Sequence, residues 1–296
     1  MAWELTLIEL YLYLCRTYSL YLCGYGQRQS NNFQPDFTDE EVLTIYLFGI
    51  MHKRFEIRDI YGYVQDHLSH WFPGLPSYQA YVARLNRLSD VFPPLVEHLL
   101  KACPQNDLLQ QVRLLDSCPI ILANAKRSGR AKVAAELANK GYCASKDMYF
   151  YGVKLHVLAY RCPGTLPLPD QVRLAPAAPH DLTIFREEFA ATLQGGELYV
   201  DKAYLDELLQ QQLWLEQQMR LRAPAKKPKG ATVVDAAAQL FATAVSRVRQ
   251  PIESFFSWLE QTTGIQRASK VRSLKGLLVH VFGRLAAAMC VLVFNP

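Results

Sequence analysis

The stretch VRLLDSCPI, residues 112–120, carries an apolar run into a single aspartate, Asp116, and GELYVDKAY, residues 196–204, does the same with Asp201. Both read as strands that end in a carboxylate. Farther on, RVRQPIESFFSWLE, residues 247–260, places Glu253 near the start of a helix that Pro251 opens and Gly264 closes. Two carboxylates at strand ends and a third on a helix suit a divalent-metal site for phosphoryl transfer, because hard cations take oxygen donors. Other covalent chemistries have no visible carrier: the chain has no phosphate-binding glycine loop, no GxSxG and no CxxC.

Working outward from Asp116, MYFYGVKLHVLAY (148–160) and PDQVRLAPA (169–177) read as a second and a third strand. Their short connections favour antiparallel pairing. Residues 124–147 are polar, without a clear period, and read as a mobile insertion. DLTIFREEFAATL (181–193) is a helix closed by Gly195 and Gly196. GELYVD is the fourth strand, YLDELLQQQLWLEQ a helix and MRLRAP the fifth strand. Three strands, helix, strand, helix, strand and a final helix is the order of the ribonuclease H-like fold. In that fold the ends of strands 1 and 4 lie close together, which would set Asp116 beside Asp201.

Residues 1–105 read as helices throughout. Thr38 and Glu41 form a capping box, and Ser77 caps a helix whose Tyr81, Leu85 and Leu88 share a stripe. The helix before this one, a turn with two prolines and a glycine, and the Ser77 helix together are compatible with helix-turn-helix DNA binding, or with a plain bundle that has a solvated basic face. The expected class is α/β (α+β): a mixed five-stranded ribonuclease H-like sheet flanked by helices over 106–296, preceded by an all-helical domain over 1–105.

Charge is unevenly spread. From Lys202 onward there are 13 Lys and Arg against 6 Asp and Glu, a net +7, so residues 1–201 carry −2 of the overall +5. A basic C-terminal third beside an acidic site is what a phosphate-backbone substrate asks for. Candidate phosphate contacts are Arg84, Arg87, Lys126, Arg127, Lys146, Lys154, His156, Lys202, Lys226, Lys227, Lys229, Arg247 and Arg249. Asp181 and Glu260 are rival ligands. Asp181 also suits the start of a helix, and His156 also suits a satisfied structural histidine.

Seven scattered cysteines read as reduced thiols. Glu4 and Glu9 argue against a signal peptide. Leu277–Phe294 is apolar but interrupted by His280 and Arg284, and reads as a buried helix rather than a membrane span. Trp3–Leu22 is apolar nearly all round and must be buried in its own domain or against a second protomer.

The strings LLDSCPI, GYCASKDMYFYGVKLH, APHD (178–181), YVDKAY and RVRQPIESFFSWLE together resemble those of bacterial insertion-sequence DDE transposases, in order and approximate spacing over about residues 110–265. FTDEEVLTIYL and LPSYQAYVARLNRL are similar in layout as well. A departure is the lysine-proline stretch 226–229 followed by an alanine-rich helix, where a shorter connection is expected.

The resemblance implies two Mg²⁺ or Mn²⁺ ions held by Asp116, Asp201 and Glu253, and metal-dependent cleavage and strand transfer of an insertion sequence. It further implies double-stranded DNA partners (terminal inverted repeats and target), a homodimer on DNA, no membrane, and a bacterial cytoplasmic, nucleoid-associated location. The alternatives are a catalytically silent DNA-binding repressor or domesticated remnant, and a structure-selective nuclease on the same core.

Overall fold

The computed structural model describes residues 3–26, 35–102, 111–224 and 236–294. The chain divides into two compact units. One comprises residues 1–103, 133–136 and 259–296; the other comprises 104–132 and 137–258.

The first unit is helical. It holds α1 (Trp3–Thr17), α2 (Asp39–Met51), α3 (Ile57–His67), α4 (Tyr78–Arg87) and α5 (Phe92–Ala102). Thr38 Oγ1 accepts from the Glu41 N–H, and the Glu41 carboxylate accepts from the Thr38 N–H, so the expected capping box starts α2. Ser77 caps α4 through the Ala80 N–H at 3.4 Å. Helix α2 is apolar on every side and buried from Val42 to Ile50, so it needs partners all round. One of them comes from the far end of the chain.

The C-terminal helices were expected to accompany the sheet. Instead the segment from Leu259 onward belongs with the N-terminal helices. The continuous helix Leu274–Phe294 is 21 residues long and apolar enough to cross a membrane by length and composition, yet 67% of its most apolar 18-residue window is buried inside the protein. The physical reason is mutual: two helices without a polar face bury each other. Tyr46 donates to the Val279 carbonyl at 3.3 Å. Gly283 leaves room for Tyr46 and Phe92, where an added Cβ would stand 2.5 Å from the Tyr46 ring. The interrupting charges have local work to do. Arg284 donates to the Thr263 and Phe55 carbonyls, and His280 meets the Ile265 carbonyl at 2.8 Å. Burial holds the His280 pKa down at about 3, so its ring is neutral.

The second unit is built on a mixed sheet. Its strands are β1 (Val112–Asn124), β2 (Asn139–Cys143), β3 (Met148–Tyr160), β4 (Leu168–Pro176), β5 (Gly196–Tyr199) and β6 (Met219–Arg222). The path runs β2-β3-β1-β5-β6, with β4 also on β3. β2 pairs with the first part of β3 and β4 with the remainder, end to end along one edge. The five columns therefore match the expected ribonuclease H-like order.

The short β2 is an addition to that expectation. It falls in the stretch read as an unstructured insertion, which also contains the single-turn helix α6 (Ala125–Ser128). Gly152 lies where β3 passes the irregularity between Ile121 and Ala123 of β1, and a Cβ there would collide with the Ile120 carbonyl.

Helix α7 (Asp181–Ile184), which continues as tighter and wider turns to Thr192, and α8 (Glu207–Gln217) pack onto the sheet. Leu115, Leu158, Leu198, Phe185, Phe189, Leu213 and Met219 make their shared core. α9 (Ala236–Arg249) and α10 (Pro251–Thr263) follow, and then α11 (Leu274–Leu278) and α12 (Arg284–Phe294) within the C-terminal helix.

Candidate active site

The register of the sheet brings the first two acids into one neighbourhood. β1 and β5 run parallel, with Leu114 opposite Tyr199. Asp116, inside β1, and Asp201, in the cap just past the end of β5, each follow that pair by two residues, and the Asp201 charge acts on Asp116. Asp116 Oδ1 accepts from the Ser117 N–H at 2.8 Å, and Asp201 Oδ1 accepts from the Lys202 N–H at 2.7 Å.

Glu253 reaches the same place from α10. Arg249, the last residue of α9, donates from Nη1 to Asp116 Oδ2 at 2.7 Å and from Nη2 to Glu253 Oε1. One guanidinium thus spans a strand acid and a helix acid, in the fork geometry that favours arginine.

The electrostatics follow from crowding. Burial pushes the Asp116 pKa up to about 6. Arg249 and the Ser117 N–H pull it down, while Asp201 and Asp181 push it further up. Burial works against the charge on Arg249, and Asp116 and Glu253 more than restore it.

Asp181 belongs to a second polar group beside the first. Lys154 Nζ donates to Asp181 Oδ1 at 2.8 Å, and Ser117 Oγ donates to Oδ2 at 3.2 Å. Asp181 therefore has its own cation, as Asp116 and Glu253 have Arg249.

Among the described residues no three His, Cys, Asp or Glu side chains stand close enough to hold a metal ion. The site is not a ready-made cage, because Arg249 holds the position between Asp116 and Glu253 that a cation would compete for. The donor chemistry nonetheless suits a hard divalent ion: Asp116, Glu253 and Asp201 all act on the Arg249 charge, and each offers carboxylate oxygens. The buried Tyr204 hydroxyl lies within the field of Asp181, Asp116 and Asp201 and has no hydrogen-bond partner among the described residues, leaving hydrogen-bonding capacity for water there.

The expected phosphate contacts scatter. Lys126, Arg127, Lys146, Lys202 and Arg247 are exposed on the sheet unit. Lys154 and Arg249 are engaged with acids. His156 is 1% exposed, with Nε2 buried and without a hydrogen-bond partner among the described residues, and burial lowers its pKa to about 4. It lies inside the sheet and offers no surface to a phosphate. In the helical unit Arg84 donates to Asp39 at 2.8 Å and to the Phe37 carbonyl, whereas Arg87 is half-exposed. Lys226, Lys227 and Lys229 lie outside the described residues. Glu260 serves elsewhere, accepting from the Gln266 N–H at 2.8 Å and pairing with Arg267.

Sequence reasoning missed the Ser117–Asp181–Lys154 group and the bridging role of Arg249. The four-residue spacing of Arg249 and Glu253 was the available signal for the second.

A ribonuclease H-like sheet with one acid inside its first strand (Asp116, expected at the strand end, but β1 runs on to Asn124), a second just past its fourth and a third on a following helix defines a class of nucleic-acid phosphoryl-transfer domains. The chain belongs to the family of transposase DDE domains, whose sequence model matches residues 107–273. No curated protein and no solved structure matches the chain.

Proposed function

We propose that this chain is the DNA strand-cleaving and strand-joining enzyme of a bacterial insertion sequence, with Asp116, Asp201 and Glu253 as the ligands of two Mg²⁺ or Mn²⁺ ions. The observation that supports the reading is the parallel register of β1 and β5, whose last pair precedes both Asp116 and Asp201 by two residues, together with the Arg249 link from Asp116 to Glu253.

The ions, when bound, would activate the attacking oxygen and stabilise the leaving 3′-oxygen. The rest falls to the chain's own residues. Burial of Asp116 concentrates negative charge where a cation gains most. Arg249 keeps Asp116 and Glu253 together while no cation is present, and must release a carboxylate when one enters. Lys154 and Ser117 fix Asp181 and thereby the β1 backbone beside Asp116. Water or a terminal hydroxyl of DNA is the nucleophile, so no covalent protein–DNA step is needed.

Double-stranded DNA is the substrate, as terminal repeats and target. Exposed Lys126, Arg127, Lys146, Lys202 and Arg247 are the proposed phosphate contacts on the sheet unit and Arg87 on the helical unit, with the 226–229 lysines as further candidates. Arg84 and His156 are assigned structural roles. Joining two ends requires two such sites, hence a homodimer on DNA, acting in the bacterial cytoplasm at the nucleoid.

One observation favours a second reading, a catalytically silent DNA-binding protein: Arg249 already neutralises two of the three acids. Incubation with Mg²⁺ and DNA carrying the ends of the encoding element separates the two. Metal-dependent nicking and joining at the ends support the enzyme; end binding without cleavage supports the silent binder.

A further inference from the structure

Helix α1 has two apolar faces, and only one is covered. Leu7, Leu10, Leu14 and Thr17 are buried against the helical unit. On the opposite side Leu5 is 52% exposed, Ile8 36% and Leu12 61%, and Leu20, in the turn that follows, is 60% exposed. At about 100° per residue, Leu5, Ile8, Glu9, Leu12 and Arg16 lie within an arc of about 100°. That arc is centred roughly opposite Leu7, Leu10 and Leu14. Among the described residues nothing covers this stripe.

The charges on the stripe say what fits it. Glu9 and Arg16 are both exposed, seven positions apart. Leu5 and Leu20 lie outside them, and the midpoint of both pairs falls between Leu12 and Tyr13. The stripe is therefore complementary to itself when turned end for end. Two copies packed antiparallel about a dyad beside Leu12 would set Glu9 against the Arg16 of the other copy, twice. Leu5 would meet Leu20, and the two Leu12 side chains would pack across the axis. A parallel pairing would instead stack Glu9 on Glu9 and Arg16 on Arg16.

We infer that the outer face of α1 is a dimerisation surface, closed by the same face of a second copy of this chain in antiparallel register. Two helices about 25 Å long cover a few hundred Å² per partner, below the roughly 800 Å² of a standard interface. The dimer is consequently reversible in free protein. Its use in holding two catalytic sites on DNA rests on the proposed function, but its existence does not.

The test is sedimentation velocity of the full chain, without DNA or metal, from about 1 to about 100 µM. The wild type should pass from monomer to dimer. Glu9→Arg and Arg16→Glu should each weaken the dimer roughly tenfold, because two attractions become two repulsions. The double reversal should restore it, and Leu12→Asp should abolish it. All three positions are exposed, so circular dichroism should show an unchanged fold.

A wild type that stays monomeric throughout overturns the inference. So does a dimer indifferent to the single reversals, or one the double reversal fails to rescue. A successful rescue in a protein that cleaves no DNA would leave this surface standing and remove the proposed function alone.

Discussion

Replacing Asp116 by asparagine should stabilise the metal-free protein at neutral pH. The Asp116 pKa rises from 3.8 to about 6 on folding, chiefly through burial. An acid whose pKa is raised binds its proton more tightly folded than unfolded. Its ionisation therefore costs nothing below pH about 4, weakens the fold progressively to about 6, and is a constant cost above that. Two units correspond to about 3 kcal/mol. The side chain is 22% exposed, so water screens part of this, and 1–3 kcal/mol is the working range. Asparagine cannot ionise and keeps the shape.

Urea unfolding followed by circular dichroism at pH 7.5 and at pH 4, in chelator, should show the variant more stable by roughly 1–3 kcal/mol at the higher pH. The gap should shrink toward zero at the lower one. A variant less stable than wild type at pH 7.5, or a gap that does not change with pH, would refute the reasoning.

Arg249→Ala removes the cation that occupies the cluster, so Mn²⁺ followed by electron paramagnetic resonance should bind the free variant more tightly than wild type; weaker binding would mean that Arg249 builds the site rather than competing for it. Arg84→Ala should cost about 1–2 kcal/mol of stability, through loss of the half-buried Asp39 pair and the Phe37 carbonyl contact. Arg87→Ala should leave stability within about 0.5 kcal/mol and lower the salt slope of DNA binding by about one, read from affinities across a salt series.

The long strands were legible because burial on both faces makes them dense in apolar residues: Leu114 and Leu115 in β1 and Val153 through Tyr160 in β3 announce themselves. β2 did not, since Asn139–Cys143 alternates buried and exposed positions over only five residues and depends on β3 for its pairing. The capping box at Thr38 was readable because all its parts lie within four residues. The destination of the C-terminal helix was not, because an apolar surface carries no address. It says that burial is needed, and not by whom.

The acids were found because a charge after an apolar run needs a reason, although Asp116 proves to lie inside β1 rather than at its end. Their counter-ions were harder. Asp181 and Lys154 are 27 positions apart and meet only through the β3 and α7 geometry, and Arg84 looks like any surface arginine until Asp39, 45 positions away, is set beside it.

The central claim is that Asp116, Asp201 and Glu253 work as one metal-dependent site, with Asp201 and not Asp181 as the second strand carboxylate. The most direct measurement is Mg²⁺-dependent cleavage of element-end DNA by Asp201→Asn, with end binding measured on the same preparation. The account predicts that cleavage is lost while end affinity stays within about twofold, because a ligand charge is removed without a change of bulk. Cleavage at the wild-type rate by Asp201→Asn would contradict it.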